Sequence, residues 1–218
     1  MLFGSDNASG VCTEIMNAMM AVNEHTAPSY GHDATTQRLE ETCNVFFESD
    51  VAAFPVLTGT AANALAVSTL CPAWGAIFCH ENSHLAIDEC GAPEFYTGGA
   101  KLITLSGDHI KIGPDNLDTS ISRFNKGNPH EVQPAVVSIT QITESGVTYS
   151  LDDIKGIAEV THRHGLYLHM DGARFANAVV SLGCTPAEIT WRAGVDVLSF
   201  GASKNGAMAA EAVVFFKK

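Results

Sequence analysis

Three segments of the chain each place polar or charged residues directly after a strand-like apolar run. In the first, residues 57–63 (L-T-G-T-A-A-N), Gly59 and Thr60 stand between a strand pattern and a helix pattern. Glycine lets a ligand approach the backbone closely, and the unpaired N–H groups of a helix's first turn attract anions. The hydroxyl of Thr60 can also cap the helix, and a plain cap without a ligand is the alternative interpretation of this segment.

A carboxylate follows the second apolar run, and a lysine follows the third. Asp171 ends the run L-H-M-D, and Arg174 comes shortly after it. Because burying an aspartate is costly without a cationic partner, Asp171 either caps a helix and pairs with Arg174 or binds a cationic ligand. Lys204 follows the run L-S-F-G-A-S among small residues, which leave room for a planar ligand. Desolvation and nearby cations lower the pKa of such an amine and make it nucleophilic.

Together these residue types fit the cofactor pyridoxal phosphate (PLP). PLP needs a lysine for its aldehyde, a carboxylate for its pyridine nitrogen and an anion cradle for its phosphate. The carboxylate keeps the ring nitrogen protonated, which makes the ring an electron sink. The sequence therefore predicts a PLP site built from Lys204, Asp171 and the turn at Gly59 and Thr60.

The elements that must position these residues alternate between strand and helix patterns. We predict strands at residues 51–57, 76–79, 101–105, 134–140, 166–170, 195–200 and 212–216, and helices at residues 61–70, 152–164 and 174–182. Near-continuous apolar strands between helices indicate an α/β fold of three layers, with a mostly parallel sheet covered on both faces. Ligands bind such sheets beyond the carboxyl ends of the strands, where the three segments lie.

The composition fits a folded domain and excludes several classes of partner. The chain has 218 residues, 46% of them apolar, and a net charge of −12. This apolar content is too high for a disordered chain, and the length suffices for one core. The acidic surplus argues against binding nucleic acid or an anionic membrane. Because the start resembles no signal peptide and no apolar run reaches about 18 residues, we expect a cytoplasmic protein without a membrane span.

Two further patterns bear on redox state and metals. The six cysteines (Cys12, Cys43, Cys71, Cys79, Cys90 and Cys184) form no C-x-x-C pair, so we expect buried, reduced thiols. Residues 80–84 (H-E-N-S-H) satisfy the zinc motif H-E-x-x-H, which works only on a helix. Here the motif follows a strand-like run and contains Asn-Ser, which favours turns, so we predict no metal site.

Seven short motifs occur in the order found in a known enzyme family. They are Gly4-Ser5-Asp6-Asn7, Tyr30-Gly31-His32-Asp33, residues 58–63 (T-G-T-A-A-N), Ser83-His84, Asp88-Glu89-Cys90-Gly91, residues 169–174 (H-M-D-G-A-R) and residues 199–206 (S-F-G-A-S-K-N-G). On these motifs, which cover essentially the whole chain, it resembles the threonine aldolase and aromatic amino acid β-eliminating lyase family of fold-type I PLP enzymes. Within that family it is most similar to the low-specificity L-threonine aldolases.

The resemblance implies a role for each matched residue. Lys204 would hold PLP covalently, Asp171 would pair with the pyridine nitrogen, and His84 would stack on the ring and act near the substrate hydroxyl. The other implied cofactor contacts are Gly59, Thr60, Ala61, Arg174 and Ser203, and the implied contacts of the substrate carboxylate are Ser5 and Arg174. The family often has a histidine near Thr143, and its absence here leaves open which group serves the hydroxyl. For Glu89, a carboxylate behind the site and a solvated loop residue are both open.

The implied reaction is the retro-aldol cleavage of a β-hydroxy-α-amino acid, such as L-threonine, L-allo-threonine or a phenylserine, to glycine and an aldehyde. The alternatives are β-elimination or transamination on the same framework, and an inactive large-domain fragment or binding subunit. Family members build their active sites at subunit interfaces, so a homodimer or homotetramer is expected. Residues Met16, Met19 and Met20 would pack one side of an N-terminal helix, against the core or a second subunit.

The resemblance also bears on domain organisation. Relatives usually continue well beyond the lysine into a smaller C-terminal domain. The expected content of residues 1–218 is therefore the PLP-binding large domain, with an N-terminal helical arm over residues 1–30 and without the small domain.

Overall fold

A computed structural model describes residues 4–8, 10–24 and 26–216. Within these residues the strands are β1 (Val51–Val56), β2 (Gly75–His80), β3 (Lys101–Leu105), β4 (Gln133–Thr140), β5 (Tyr167–Gly172), β6 (Val197–Gly201) and β7 (Glu211–Phe216). The helices are α1 (Thr13–Asn23), α2 (Ala34–Phe47), α3 (Gly59–Leu70), α4 (His84–Ile87), α5 (Ala92–Tyr96), α6 (Pro114–Ile121), α7 (Leu151–Arg163), α8 (Phe175–Leu182) and α9 (Pro186–Ile189). No helix in this described part has both the length and the apolar character needed to cross a bilayer.

The strands form a single sheet with the order β1-β7-β6-β5-β4-β2-β3. Strand β7 pairs antiparallel with both β1 and β6, and every other neighbouring pair is parallel. Six strands therefore run in one direction, and their carboxyl ends meet the amino end of β7 at one edge of the sheet. This topology confirms the predicted mostly parallel sheet.

Helices cover both faces of the sheet. In β2, Ile77 packs in a cluster with Val67 of α3, whereas its neighbour Phe78 packs in the cluster that contains Ile157 of α7. Because successive side chains of a strand point to opposite faces, these two clusters lie on opposite sides of the sheet. All six residues of β2 are buried, which explains why its apolar run shows no alternation and confirms the predicted three layers.

The predicted strands and helices lie within a few residues of the observed ones, but α2, α6 and the short helices α4, α5 and α9 were not predicted. Helix α2 buries only Cys43 and Phe47, so its apolar stripe is too sparse to produce a helical period. Its start does carry a local signal, because the carboxylate of Asp33 accepts hydrogen bonds from two backbone N–H groups of the first turn. The arm expected over residues 1–30 contains α1, and residues 1–3, 9 and 25 lie outside the described residues.

The expectation of buried cysteines is correct for only half of them. All six thiols are free, and Cys43, Cys71 and Cys79 are buried, but Cys12 and Cys90 are exposed and Cys184 is half-buried. Cys12 immediately precedes α1, a helix that buries none of its residues. Cys90 lies in a loop and has a left-handed backbone, with φ of 53°.

The prediction that the N-terminal methionines pack against the core is wrong for the described residues. Met16, Met19 and Met20 on α1 are 37%, 44% and 65% exposed. Because α1 lies against no buried cluster, these side chains have no core to enter. Contact of this helix with a second subunit stays a prediction.

Candidate active site

A pocket of about 400 Å³ lies at the edge where the carboxyl ends of β4, β5 and β6 meet the amino end of β7. This volume is in the range of small-molecule sites. Seven predicted site residues line it, namely Gly59, Thr60, His84, Asp171, Arg174, Ser203 and Lys204. The other lining residues are Asn7, Leu57, Thr58, Asn63, Thr140, Glu144, Ala173, Ala209 and Glu211. The topology thus brings segments far apart in the sequence to one cavity.

The amino end of α3 offers backbone N–H groups to this pocket. The helix begins at Gly59, and its cap is Thr58, whose hydroxyl accepts a hydrogen bond from the N–H of Ala61 at 3.1 Å. The predicted cap, Thr60, is wrong because this residue already lies inside the helix. In the described part of the chain, the N–H groups of Gly59 and Thr60 have no acceptor and remain for a ligand, whereas the N–H of Ala61 is engaged.

Asp171 lies at the end of β5 and is 4% exposed. Its two carboxylate oxygens accept hydrogen bonds from the side chain of Asn63 at 2.8 Å and from the N–H of Ala173 at 2.9 Å. The alternative in which Asp171 pairs with Arg174 is wrong, because Arg174 binds Asp6. Both donors to Asp171 are neutral, so this buried carboxylate retains its need for a cation from the pocket.

A chain of hydrogen bonds connects Asp171 to His84. The amide of Asn63 also donates to Glu89 Oε1 at 2.7 Å, and the same oxygen lies 2.9 Å from Nδ1 of His84. Glu89 is 3% exposed, so its interpretation as a solvated loop residue is wrong. Nε2 of His84 has no partner among the residues described, and the ring lines the pocket.

The His84–Glu89 pair holds its proton more tightly than either free side chain would. The hydrogen bond to Glu89 raises the pKa of His84, and this effect exceeds the opposing effect of burial. Burial raises the pKa of Glu89, because a charged carboxylate is poorly solvated there. Both effects favour the state in which one proton is shared between the two side chains.

Glu144 fixes the start of α4, which carries His84. Its Oε1 accepts hydrogen bonds from the backbone N–H of His84 at 2.6 Å and from the hydroxyl of Thr140 at 3.1 Å. Since Thr140 is the last residue of β4, Glu144 ties His84 to the sheet edge. The position of His84 is therefore set on two sides, by Glu144 at its backbone and by Glu89 at its ring.

The geometry excludes the helical H-E-x-x-H motif. His80 ends β2 and its Nε2 lies 3.0 Å from the carbonyl oxygen of Gly107, whereas His84 begins α4. Among the described residues, one group of three has metal-ligating atoms all within 4.8 Å of one another, namely His84, Glu89 and Asp171. Glu89 Oε1 and Asp171 Oδ2 both accept hydrogen bonds from the side-chain amide of Asn63, so the two acids belong to one hydrogen-bonded network.

Lys204 lies in a 3-10 turn, Ser203–Asn205, that follows β6. The turn is tied to the start of β7, because the N–H of Ser203 donates to Glu211 Oε1 at 3.3 Å and the Ser203 hydroxyl accepts from the N–H of Ala210 at 3.1 Å. Gly201 precedes the turn, and a Cβ at this position would lie 2.7 Å from Glu211 Oε2 and 2.8 Å from the Cα of Ala173. The small residues before the lysine thus allow the end of β6, the start of β7 and the segment at Ala173 to pack closely together.

The predicted contacts of the substrate carboxylate are only partly brought together. The guanidinium of Arg174 lines the pocket and donates to both carboxylate oxygens of Asp6. Burial raises the pKa of Asp6, but the hydrogen bond and charge of Arg174, together with the charge of Lys204, lower it overall. Ser5 does not reach the pocket wall, and its hydroxyl accepts from the N–H of Asn7 at 3.1 Å. Its role stays a prediction.

Nine of the residues that line the pocket were not among the predicted site residues, and three of them, Asn63, Glu144 and Glu211, bear on its charge and hydrogen bonding. Asn63 lies one helical turn after Gly59 and therefore on the same face of α3, which is a usable signal. Glu144 follows β4, whose carboxyl end is at the pocket, and is a second usable signal. Glu211 is the first residue of β7, and in a strand parallel to the others that position would lie at the opposite end of the sheet. It reaches the pocket only because β7 is antiparallel.

Comparisons with known proteins agree with this geometry. A family model described as beta-eliminating lyase matches residues 3–218. A low specificity L-threonine aldolase from Pseudomonas sp. is 45% identical, over 99% of this chain and 62% of the relative. A low specificity L-threonine aldolase from Pseudomonas aeruginosa is 43% identical over the same shares, 99% and 62%. The chain thus spans about 62% of the length of these relatives.

Solved structures share the fold. A Leishmania major threonine aldolase superposes with a TM-score of 0.90 at 27% identity, over 97% of this chain and 61% of that one. An alanine–glyoxylate aminotransferase from Nostoc sp. gives a TM-score of 0.71 at 16% identity, over 98% of this chain and 52% of that one. The architecture is that of the large domain of fold-type I PLP enzymes.

Proposed function

The chain belongs to the beta-eliminating lyase family, and from this membership we propose that it is a PLP-dependent lyase. The proposed reaction cleaves β-hydroxy-α-amino acids such as L-threonine, L-allo-threonine and phenylserines to glycine and an aldehyde. The observation that carries this proposal is the convergence of Lys204, Asp171 and the open N–H groups of Gly59 and Thr60 on one pocket. The two bacterial relatives, both low specificity L-threonine aldolases, support the choice of substrate class.

The residues present fit PLP. Asp171 is a buried carboxylate with only neutral donors, which suits a protonated pyridine nitrogen. Gly59 and Thr60 would hold the phosphate at the positive end of α3. Lys204 would bind the aldehyde, and Ser203 and His84, which line the same pocket, would be further contacts of the cofactor. When bound, the cofactor would supply the electron sink for the breaking Cα–Cβ bond.

The protein's own groups would position the substrate and move its protons. Arg174, whose guanidinium Asp6 engages in the structure, would hold the substrate carboxylate in place of Asp6, with Ser5 or the pocket residue Asn7 completing the contact. As the Cα–Cβ bond breaks, the hydroxyl proton would pass to Nε2 of neutral His84, and Cα would gain a proton to give glycine. General-base assistance of this kind is typically worth about 10²–10⁴-fold in rate.

We extend the proposal to the organisation of the protein. Residues 1–218 would be the cofactor-binding large domain, and the chain would act as a homodimer or homotetramer. The exposed methionines of α1, with Met20 65% exposed, support self-association, because apolar side chains grouped on one helix commonly mark an interface.

Product analysis of the purified chain tests the proposed function. With PLP and L-threonine we expect glycine and acetaldehyde in equal amounts, measured by chromatography and an aldehyde-coupled assay. 2-Oxobutyrate with ammonia would instead show elimination, and a keto acid that appears only with an amino acceptor would show transamination. No product from PLP-loaded protein would identify a binding fragment without turnover.

The pH dependence of cleavage should report the His84–Glu89 pair. Only neutral His84 accepts a proton, so the rate should rise with pH through the pKa of His84, which Glu89 raises above its usual value. Glu89→Gln removes the carboxylate while keeping an acceptor oxygen. We expect the acidic limb of the kcat/KM profile to move to lower pH in this variant.

Asp88→Asn provides the matched control for this shift. Asp88 is exposed, adjacent to Glu89, and its substitution removes the same charge. The acidic limb of Asp88→Asn should coincide with that of the wild-type chain. An unmoved limb in Glu89→Gln would show that His84 is not the group whose deprotonation limits the rate.

A further inference from the structure

We propose that Glu211 takes up a proton when the phosphate of the cofactor binds beside it, so that this carboxyl sets the pH range over which the cofactor is held. The inference rests on the proposed PLP site and concerns a residue to which neither the family motifs nor the comparisons assign a role. It follows from the location of the carboxylate.

Glu211, the first residue of β7, lies beside the amino end of α3, where the N–H groups of Gly59 and Thr60 are open. Its Oε2 is 3.9 Å from the position of a Cβ built on Gly59, whose N–H is one of the two open donors. Its Oε1 accepts from the N–H of Ser203, the residue before Lys204, at 3.3 Å. Glu211 is thus wedged between the proposed phosphate contacts and the turn that carries the lysine.

The surroundings of Glu211 disfavour its charge before any anion binds. The side chain is half-buried, and burial raises its pKa most. Asp171 on β5 raises this pKa further, while the hydrogen bonds from Ser203 and the charge of Lys204 lower it. His84, Glu144 and Arg174 are the other ionisable side chains on the described pocket wall.

A bound phosphate adds a second negative charge beside Glu211, whose own negative charge is already disfavoured. Like charges within a few ångströms oppose joint ionisation, so the phosphate should raise the pKa of Glu211 again. By linkage, the protonated protein then binds the phosphate more tightly than the ionised protein. A protonated Glu211 can also donate a hydrogen bond to the phosphate, which the carboxylate cannot do.

Glu211→Gln tests this role through binding rather than turnover. Dissociation constants for PLP would be measured by absorbance titration between pH 5 and pH 9. At the lowest pH the variant and the wild-type chain should agree. Above the pKa of Glu211 the neutral variant should bind PLP more tightly, by about tenfold or more, given the usual effect of a neighbouring like charge.

Glu211→Leu is a second variant, which keeps the test valid if glutamine perturbs the fold. It removes both the charge and the acceptor, and its PLP affinity should show the same loss of pH dependence. Glu159→Gln is the matched control, because Glu159 is exposed on α7 and its substitution removes the same charge. Its PLP constants should follow those of the wild-type chain. A tenfold gain in Glu159→Gln would attribute the effect to net charge and overturn the inference.

Pyridoxal, which lacks the phosphate, separates the two possible partners of Glu211. If the carboxyl opposes the phosphate, pyridoxal affinity should change less than about twofold in Glu211→Gln at any pH. Equal gains in affinity for PLP and pyridoxal in Glu211→Gln would show that Glu211 acts on Lys204. An unchanged or weaker PLP affinity would show that the charge of Glu211 does not oppose phosphate binding. Either result overturns the inference while leaving the proposed function intact, whereas a wild-type chain that binds no PLP would overturn both.

Discussion

Lys204→Ala is expected to abolish the covalent link between the chain and PLP and to reduce threonine cleavage by more than about 10³-fold. The substitution would remove the amine proposed to bond the cofactor's aldehyde, an amine that can also transfer protons at the pocket wall. Loss of a positioned proton-transfer group alone typically costs about 10²–10⁴-fold. The fold should be retained, because Lys204 lies in a short turn at the sheet edge and is not buried.

The link is measured by incubating the protein with PLP, reducing it with borohydride and determining its mass. The wild-type chain should gain one reduced cofactor, and peptide mapping should locate it at Lys204. Lys126→Ala, at an exposed position, is the control and should be labelled like the wild-type chain. If Lys204→Ala still gains the cofactor in the pocket, the lysine assignment is wrong.

Asp171→Asn has the second largest expected effect. An amide cannot hold the pyridine nitrogen in its protonated form, so cleavage should fall by about 10³-fold while the cofactor still binds through Lys204 and the amino end of α3. The free energy of unfolding should fall by about 1–3 kcal/mol, because the single amide oxygen of the variant cannot replace both carboxylate oxygens, which accept separately from Asn63 and from the N–H of Ala173.

Steady-state kinetics with saturating PLP and urea denaturation measure these two effects. Asp115→Asn, at an exposed position on α6, is the matched control and should leave both quantities unchanged. Full activity of Asp171→Asn would exclude Asp171 as the partner of the pyridine nitrogen. Loss of the folded state would instead assign Asp171 a mainly structural role.

The central part of the fold could be predicted because its strands are buried on both faces. Strand β2 is buried at every residue, and the last five residues of β4 are buried as well, so each reads as a continuous apolar run. Helix α2 could not be predicted in this way, since it buries two of its 14 residues. Such a helix is stabilised by a few contacts, Phe47 above all, and these are visible only in three dimensions.

The predictable part of the candidate site follows the same logic. Residues that come directly after parallel strands, such as Asp171 and Lys204, must lie at the ligand edge. Glu89 and Asn63 depend on tertiary contacts, because both are buried by a network that spans two helical segments and β5. Glu211 depends on the direction of one strand, which apolar patterning cannot reveal. The residues that the sequence did not reveal, Asn63, Glu144 and Glu211, are therefore neighbours of the proposed ligand-binding residues rather than those residues themselves.

The antiparallel strand β7 also governs when the site can form during folding. Strand β1, which leads into the cradle at Gly59, hydrogen-bonds in the described sheet only to β7, and β7 in turn to β6, which leads to Lys204. The pairing of Val51 with Phe216 joins residues far apart in the sequence, and contacts of such long sequence separation are slow to form. On the ribosome, the two halves of the pocket cannot be hydrogen-bonded into one sheet until β7 has emerged, so the proposed ligand site can be completed only after that strand has been synthesised.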